Sequence, residues 1–163
     1  MGLDIHAAAL GGWVREFVRV NNRMAGILRE PTPAELGAHR GLLAANSLCV
    51  ENLEVFVQHV APGAGWRMRS SEDDGRGGEA GPRQDLETIV RAAKANRASA
   101  TEIHRLYRLL RPFTDANGRC GRVLWMWQMM RSPPGTLAEV ACLDLSDSSH
   151  PLNRDAMARS SMM

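Results

Sequence analysis

The stretch Arg111-Pro-Phe-Thr-Asp-Ala-Asn-Gly-Arg-Cys-Gly-Arg122 joins an apolar run ending at Leu110 to another starting at Val123, so it reads as helix, tight turn and helix. Asn117-Gly118 is the turn. A helix that starts here presents unsatisfied backbone N–H groups and a partial positive charge, and Arg119 and Arg122 add two guanidinium forks one turn apart on one face. Together they form an anion clamp. Asp115 places a hard carboxylate beside it, of the kind a magnesium ion bridging phosphates needs. Asp-Ala-Asn-Gly is also an ordinary turn sequence, because Asn and Gly tolerate left-handed backbone angles and Asp caps helices. The balance shifts with the ordered set Pro112, Phe113, Asp115, Asn117, Gly118, Arg119, Gly121 and Arg122, with a helix on either side.

At these residues the chain resembles the Fic/Doc (Fido) family, whose motif runs His-Pro-Phe-x-Asp/Glu-Gly-Asn-Gly-Arg-x-x-Arg. The matching residues are Pro112, Phe113, Asp115, Asn117, Gly118, Arg119 and Arg122, followed by a helix of family character through Met130. Weaker likeness extends upstream through Pro31-Thr-Pro-Ala-Glu-Leu36, the helix around Val50 to Val60, and Pro62-Gly-Ala-Gly-Trp-Arg67, so that residues 10 to 135 are covered. The resemblance implies an all-α Fic-fold domain over 1–145 with a small β-hairpin flap in the loop 61–83, and a loosely held tail over 146–163. It also implies AMP transfer from ATP to a protein hydroxyl. ATP with magnesium would be the cofactor, with Asp115 on the metal and Asn117, Gly118, Arg119, Gly121 and Arg122 on the phosphates. Partners would be a nucleotide and a protein target or regulator.

Two departures bear on chemistry. The family's histidine is Arg111 here, and its first glycine is Ala116. In the family that histidine is the general base that takes the proton from the attacking hydroxyl, a task for an imidazole near its pKa. A guanidinium stays protonated to about pH 12 and cannot serve. Losing a general base forfeits about 100- to 10,000-fold in rate. The expectation is a nucleotide-binding loop with absent or impaired transfer; the alternative is a non-catalytic protein-interaction module on the same scaffold.

No other residue replaces the base. His104 lies seven residues before Arg111 on the same helix, about 10 Å away. It reads as a packed residue, and His6, His39, His59 and His150 have no sequence reason to approach the loop. Cys120, near a helix N-terminus and two arginines, would have a lowered pKa if exposed to them, although a small structural residue is the simpler reading. Many Fic proteins also carry an inhibitory helix, Ser/Thr-x-x-x-Glu-Gly/Asn, whose glutamate pairs with the second motif arginine. Asn21-Asn-Arg-Met-Ala-Gly26 fits that spacing with Asn21 at the hydroxyl position and Ala25 at the glutamate; it fits a plain helix end equally well.

At 163 residues the chain suits one domain, which buries about two thirds of its unfolded surface. A net charge of +2 gives no support for bulk nucleic-acid or membrane binding. Cys49, Cys120 and Cys142 are scattered without metal spacing, as expected of reduced thiols in a cytoplasmic protein. No secretory signal or bilayer-spanning run is visible.

Helical spacing predicts a first helix through about Ile27, with a possible break at Gly11-Gly12, and the capping box Thr32-Pro-Ala-Glu35 starts a second through about Ala45. Val50, Leu53, Val55, Phe56 and Val60 mark a third, and Leu86, Ile89, Val90 and Ala93 a fourth. Ile103, Leu106, Leu109 and Leu110 mark a fifth that stops before Pro112. Gly118 to about Met130 is a sixth, carrying Trp125 and Trp127 as core residues, and Leu137 to Leu143 a short seventh. Gly65-Trp-Arg-Met-Arg-Ser70 is the stretch that fits the flap strand.

Overall fold

A computed structural model describes residues 3–68 and 80–131, and these residues form six helices. They are α1 (Leu3–Met24), α2 (Pro33–Ala44), α3 (Val50–Val60), α4 (Ala80–Lys94), α5 (Ala100–Leu110) and α6 (Asn117–Met130). The expected all-helical character is present. The seventh helix, the 146–163 tail and residues 69–79 of the expected flap loop lie outside the described residues.

The central element is α6. Every residue from Arg119 to Gln128 is buried, the mark of a helix enclosed on all sides rather than packed along one stripe. It packs against α1, α2, α3 and α5. Val123, Leu124 and Met126 meet Val18, Leu53, Leu86 and Ile103 in a core of nearly unexposed side chains. Trp125 and Trp127 belong to it, and the Trp127 indole donates to the Ala45 carbonyl at 2.8 Å. Gly121 is required by the α5–α6 approach: a Cβ there would lie 2.9 Å from Tyr107 Cδ1.

Local signals fix the helix ends. Thr32 Oγ1 accepts the Glu35 N–H at 3.2 Å while Glu35 accepts the Thr32 N–H at 2.8 Å, completing the capping box. Helix α1 runs unbroken through Gly11-Gly12 and stops at Met24 rather than Ile27. Gly26, at φ 81, is the reason: its N–H bonds the Arg23 carbonyl and the Ile27 N–H bonds the Asn22 carbonyl, a Schellman ending.

Three expectations need correction. Residues 80–83, read as flexible loop, already belong to α4; Pro82 falls in the first turn, where a missing N–H costs nothing. On α5 the buried face is Ala100, Ile103, His104 and Tyr107, whereas Leu109 is 71 % exposed. Val55 on α3 is likewise exposed. Of the expected flap strand, Gly65 to Met68 are described, and Trp66 there makes an antiparallel bridge to Phe113.

Candidate functional site

The loop between α5 and α6 is held from three directions. Pro112 cannot continue α5, and Arg111 closes it in the left-handed region at φ 46, with its N–H still bonded to the Tyr107 carbonyl. Phe113 is buried, lies against Trp66 with ring centres 4.7 Å apart and planes tilted by 39°, and is gripped by Asn117. Asn117 Oδ1 accepts the Phe113 N–H at 3.0 Å and its Nδ2 donates to the Phe113 carbonyl at 2.6 Å. On the far side Arg67 N–H donates to the Pro112 carbonyl at 2.8 Å and Thr114 N–H to the Gly65 carbonyl at 2.9 Å. Ala116 caps α6 in the left-handed region at φ 60, a conformation that costs a non-glycine residue about 1 kcal/mol. Arg111 and Ala116 are two of only three such non-glycine positions among the described residues.

Around this loop lies a cavity of about 530 Å³, within the range of small-molecule sites. The end of α1 supplies Met24 and, just beyond it, Ala25 and Ile27; α5 supplies His104 and Arg108; the loop and α6 supply Arg111, Asp115, Asn117, Gly118, Arg119 and Arg122. Gly121 does not line it, being turned to Tyr107 and His104 on α5. Four arginines therefore face one carboxylate.

The arginines differ in how they are engaged. Arg122 lies over the first turn of α6, where a Cβ on Gly118 would be 3.1 Å from Nη1. Its Nε donates to Asn21 Oδ1 at 2.6 Å and its Nη2 to the Asn21 carbonyl at 3.2 Å. So α1 does hold the second arginine of the motif, through Asn21 rather than through position 25. Burial and the nearby Arg119 and Arg108 push Arg122 down to about 10, which leaves it charged at neutral pH. Arg119 is 4 % exposed, yet its Nε and Nη1 carry no hydrogen bond. The Glu35 carboxylate is 3.7 Å from Nη1, too long for one. Burial pulls Arg119 down, and Asp115 and Glu35 offset part of that.

Behind the arginines runs a buried polar network that sequence reading missed. Glu35 accepts two bonds from Arg29, both at 2.9 Å, one from Thr32 N–H, and one from Asn22 Nδ2 at 3.2 Å. Burial alone would raise its carboxyl, but the Arg29 and Thr32 bonds prevail and hold it at about 2. His39, fully buried, faces the Glu35 carbonyl with Nδ1 at 2.7 Å and the Asn21 amide with Nε2 at 3.1 Å. A carbonyl only accepts, so Nδ1 carries the proton and Nε2 accepts from Asn21 Nδ2. Asn21 Nδ2 also donates to the Arg119 carbonyl at 3.2 Å. His39 is thus linked through Asn21 to Arg119 in the first turn of α6. The available signal was its i,i+4 spacing from Glu35 on α2, which puts both on one face.

Cys120 is not an activated thiol. It is fully buried against α5, and burial pushes it up to about 12 despite the Tyr107 hydroxyl beside it. Asp115 Oδ1 accepts the Ala116 N–H at 2.5 Å. Among the described residues no three His, Cys, Asp or Glu side chains gather as a metal site, and no helix is long and apolar enough to cross a membrane. Comparison of the chain with family models, curated proteins and solved structures gives no match.

Proposed function

We propose that this chain is a Fic-like domain that binds the phosphates of a nucleotide and no longer transfers AMP at a useful rate. The observation that carries the reading is the cavity wall, where Arg108, Arg111, Arg119 and Arg122 face the single Asp115 carboxylate. Such an excess of guanidiniums suits a phosphate, whose oxygens accept charge-assisted hydrogen bonds. The first-turn N–H groups of α6 would add donors. A magnesium ion would depend on Asp115 and on the phosphates themselves, an arrangement magnesium commonly adopts. The ion would supply charge neutralisation. Asn117 fixes the loop through Phe113 and also lines the cavity, and Arg122 is shared with Asn21.

The engagement of Asn117 and Arg122 within the protein favours a second reading, in which the loop serves only to fold and the scaffold binds a protein partner. Transfer assays with ATP labelled at the α-phosphate separate the two. The native chain is expected to transfer no label, because Arg111 cannot take a proton. Arg111→His restores an imidazole at a position whose left-handed backbone histidine tolerates, and is expected to label the chain itself or a co-purified protein. A folded Arg111→His variant that binds ATP but transfers nothing contradicts the transferase ancestry of the loop.

A further inference from the structure

We propose that the groove between α2 and α3 is the docking site of this chain's own segment Leu137–Leu143. The groove measures about 560 Å³ and shares no residue with the cavity at the α5–α6 loop. Leu42 and Phe56, both buried, form its floor, and beside them Val55 is left 56 % exposed. Among the described lining residues Asn52 and His59 alone are polar. Glycine in a helix interior costs stability relative to alanine. Yet Gly37 and Gly41 sit one turn apart on the groove face of α2, where an added Cβ would meet nothing within 4 Å. No described neighbour requires glycine at either position. A second element laid along that face does, since it can then approach the α2 backbone closely and cover Val55, gaining the burial that drives such contacts.

Chain direction selects the occupant. Helices α2 and α6 run the same way: near their starts Arg119 Nη1 lies 3.7 Å from Glu35, and near their ends Trp127 and Arg131 donate to the Ala45 and Leu43 carbonyls at 2.8 and 3.3 Å. The chain therefore leaves α6 beside the Gly41 end of the groove. Ser132-Pro-Pro-Gly135 is a helix stop and a turn signal. Residues 132–136 reach at most about 17 Å, more than the width of a helix, about 10 Å. A chain that turns back there runs along α2 from Gly41 toward Ala34. Six of the seven residues Leu137-Ala-Glu-Val-Ala-Cys-Leu143 are apolar. As a helix they would span about 10 Å, the separation of Gly41 and Ala34 along α2.

Disulfide trapping in the full chain tests both the occupant and its direction, with native Cys142 as the probe and Cys49→Ser to remove the exposed thiol. The short 45–49 connection makes α3 antiparallel to α2, so Asn52 marks the Gly41 end of the groove, and Ala34 marks the other. A disulfide needs Cα atoms within about 7 Å, so under mild oxidation Cys142 is expected to bond within one chain to the Ala34→Cys thiol at least about tenfold faster than to the Asn52→Cys thiol. Thermal melting of the full chain gives a second reading. On an open helix face Gly37→Gln raises the melting temperature through helix propensity; on an occupied face it lowers it by crowding the segment. A lowered value is expected in the otherwise native chain, and a raised one once Leu137→Asp has displaced the segment. Equal trapping at the two ends, or bonds formed only between chains, overturns the proposal, the latter giving the groove to a second copy. So does a Gly37→Gln chain that melts higher than the native one.

Discussion

Replacing Glu35 by alanine is expected to destabilise the fold by about 3–5 kcal/mol, the range for removing one partner of a buried charge network. Glu35 is 2 % exposed and accepts from Arg29, Thr32 and Asn22. Its loss removes the capping box of α2, which is worth about 1 kcal/mol. Arg29, half exposed, can return to water. Asn22 and Arg119 are buried and cannot. Urea unfolding at pH 7 gives the measurement, with Arg29→Ala as a milder comparison because its partner keeps the other donors. A Glu35→Ala variant within about 1 kcal/mol of the native chain would contradict this account of the network.

Acid should weaken the protein in two stages, the first set by His39. Burial drags its pKa from 6.5 to about 4; the Glu35 carbonyl bond and Glu35 charge oppose this, and Arg119 and Arg122 reinforce it. The unfolded chain therefore takes up a proton near pH 6.5 that the folded chain refuses until about pH 4. Stability is full above 6.5 and falls as pH drops through that window, by about 3 kcal/mol in all. Glu35 then acts between 4.5 and about 2: its folded pKa is depressed, so its contribution is present above 4.5 and is lost as pH falls toward 2. Unfolding free energies at pH 7, 5.5 and 4.5 test the first stage. The native chain should lose about 2–3 kcal/mol over that range and His39→Gln markedly less. Equal slopes for the two proteins would remove His39 from the explanation.

How much of this was legible in the sequence follows from the reach of each interaction. The start of α2 was readable because the Thr32–Glu35 capping box closes within four residues, and α6 because its apolar residues run without a polar face. Leu109 was misassigned because leucines three and four apart mark a stripe without saying which stripe faces inward; Tyr107 and His104 occupy it. The start of α4 was obscured by Gly81-Pro82, a loop signal that a first helical turn also accepts. At the site, the arginines and the turn were visible as a local pattern. Their partners were not, because Asn21 lies 101 residues from Arg122, and Glu35 and His39 reach α6 only once α1 and α2 pack on it. The grip of Asn117 on Phe113 is likewise hidden in the pattern, because a turn asparagine has many local partners and only the folded loop selects the one four residues back.

Equilibrium binding of magnesium-ATP to the native chain and to Arg119→Ala, side by side, tests most directly the proposal that the arginine-lined cavity holds phosphate. Saturable binding by the native chain is expected below about millimolar ATP, with a loss of at least tenfold in the variant and its fold retained. Binding by neither protein at millimolar ATP, or equal binding by both, would overturn the proposal.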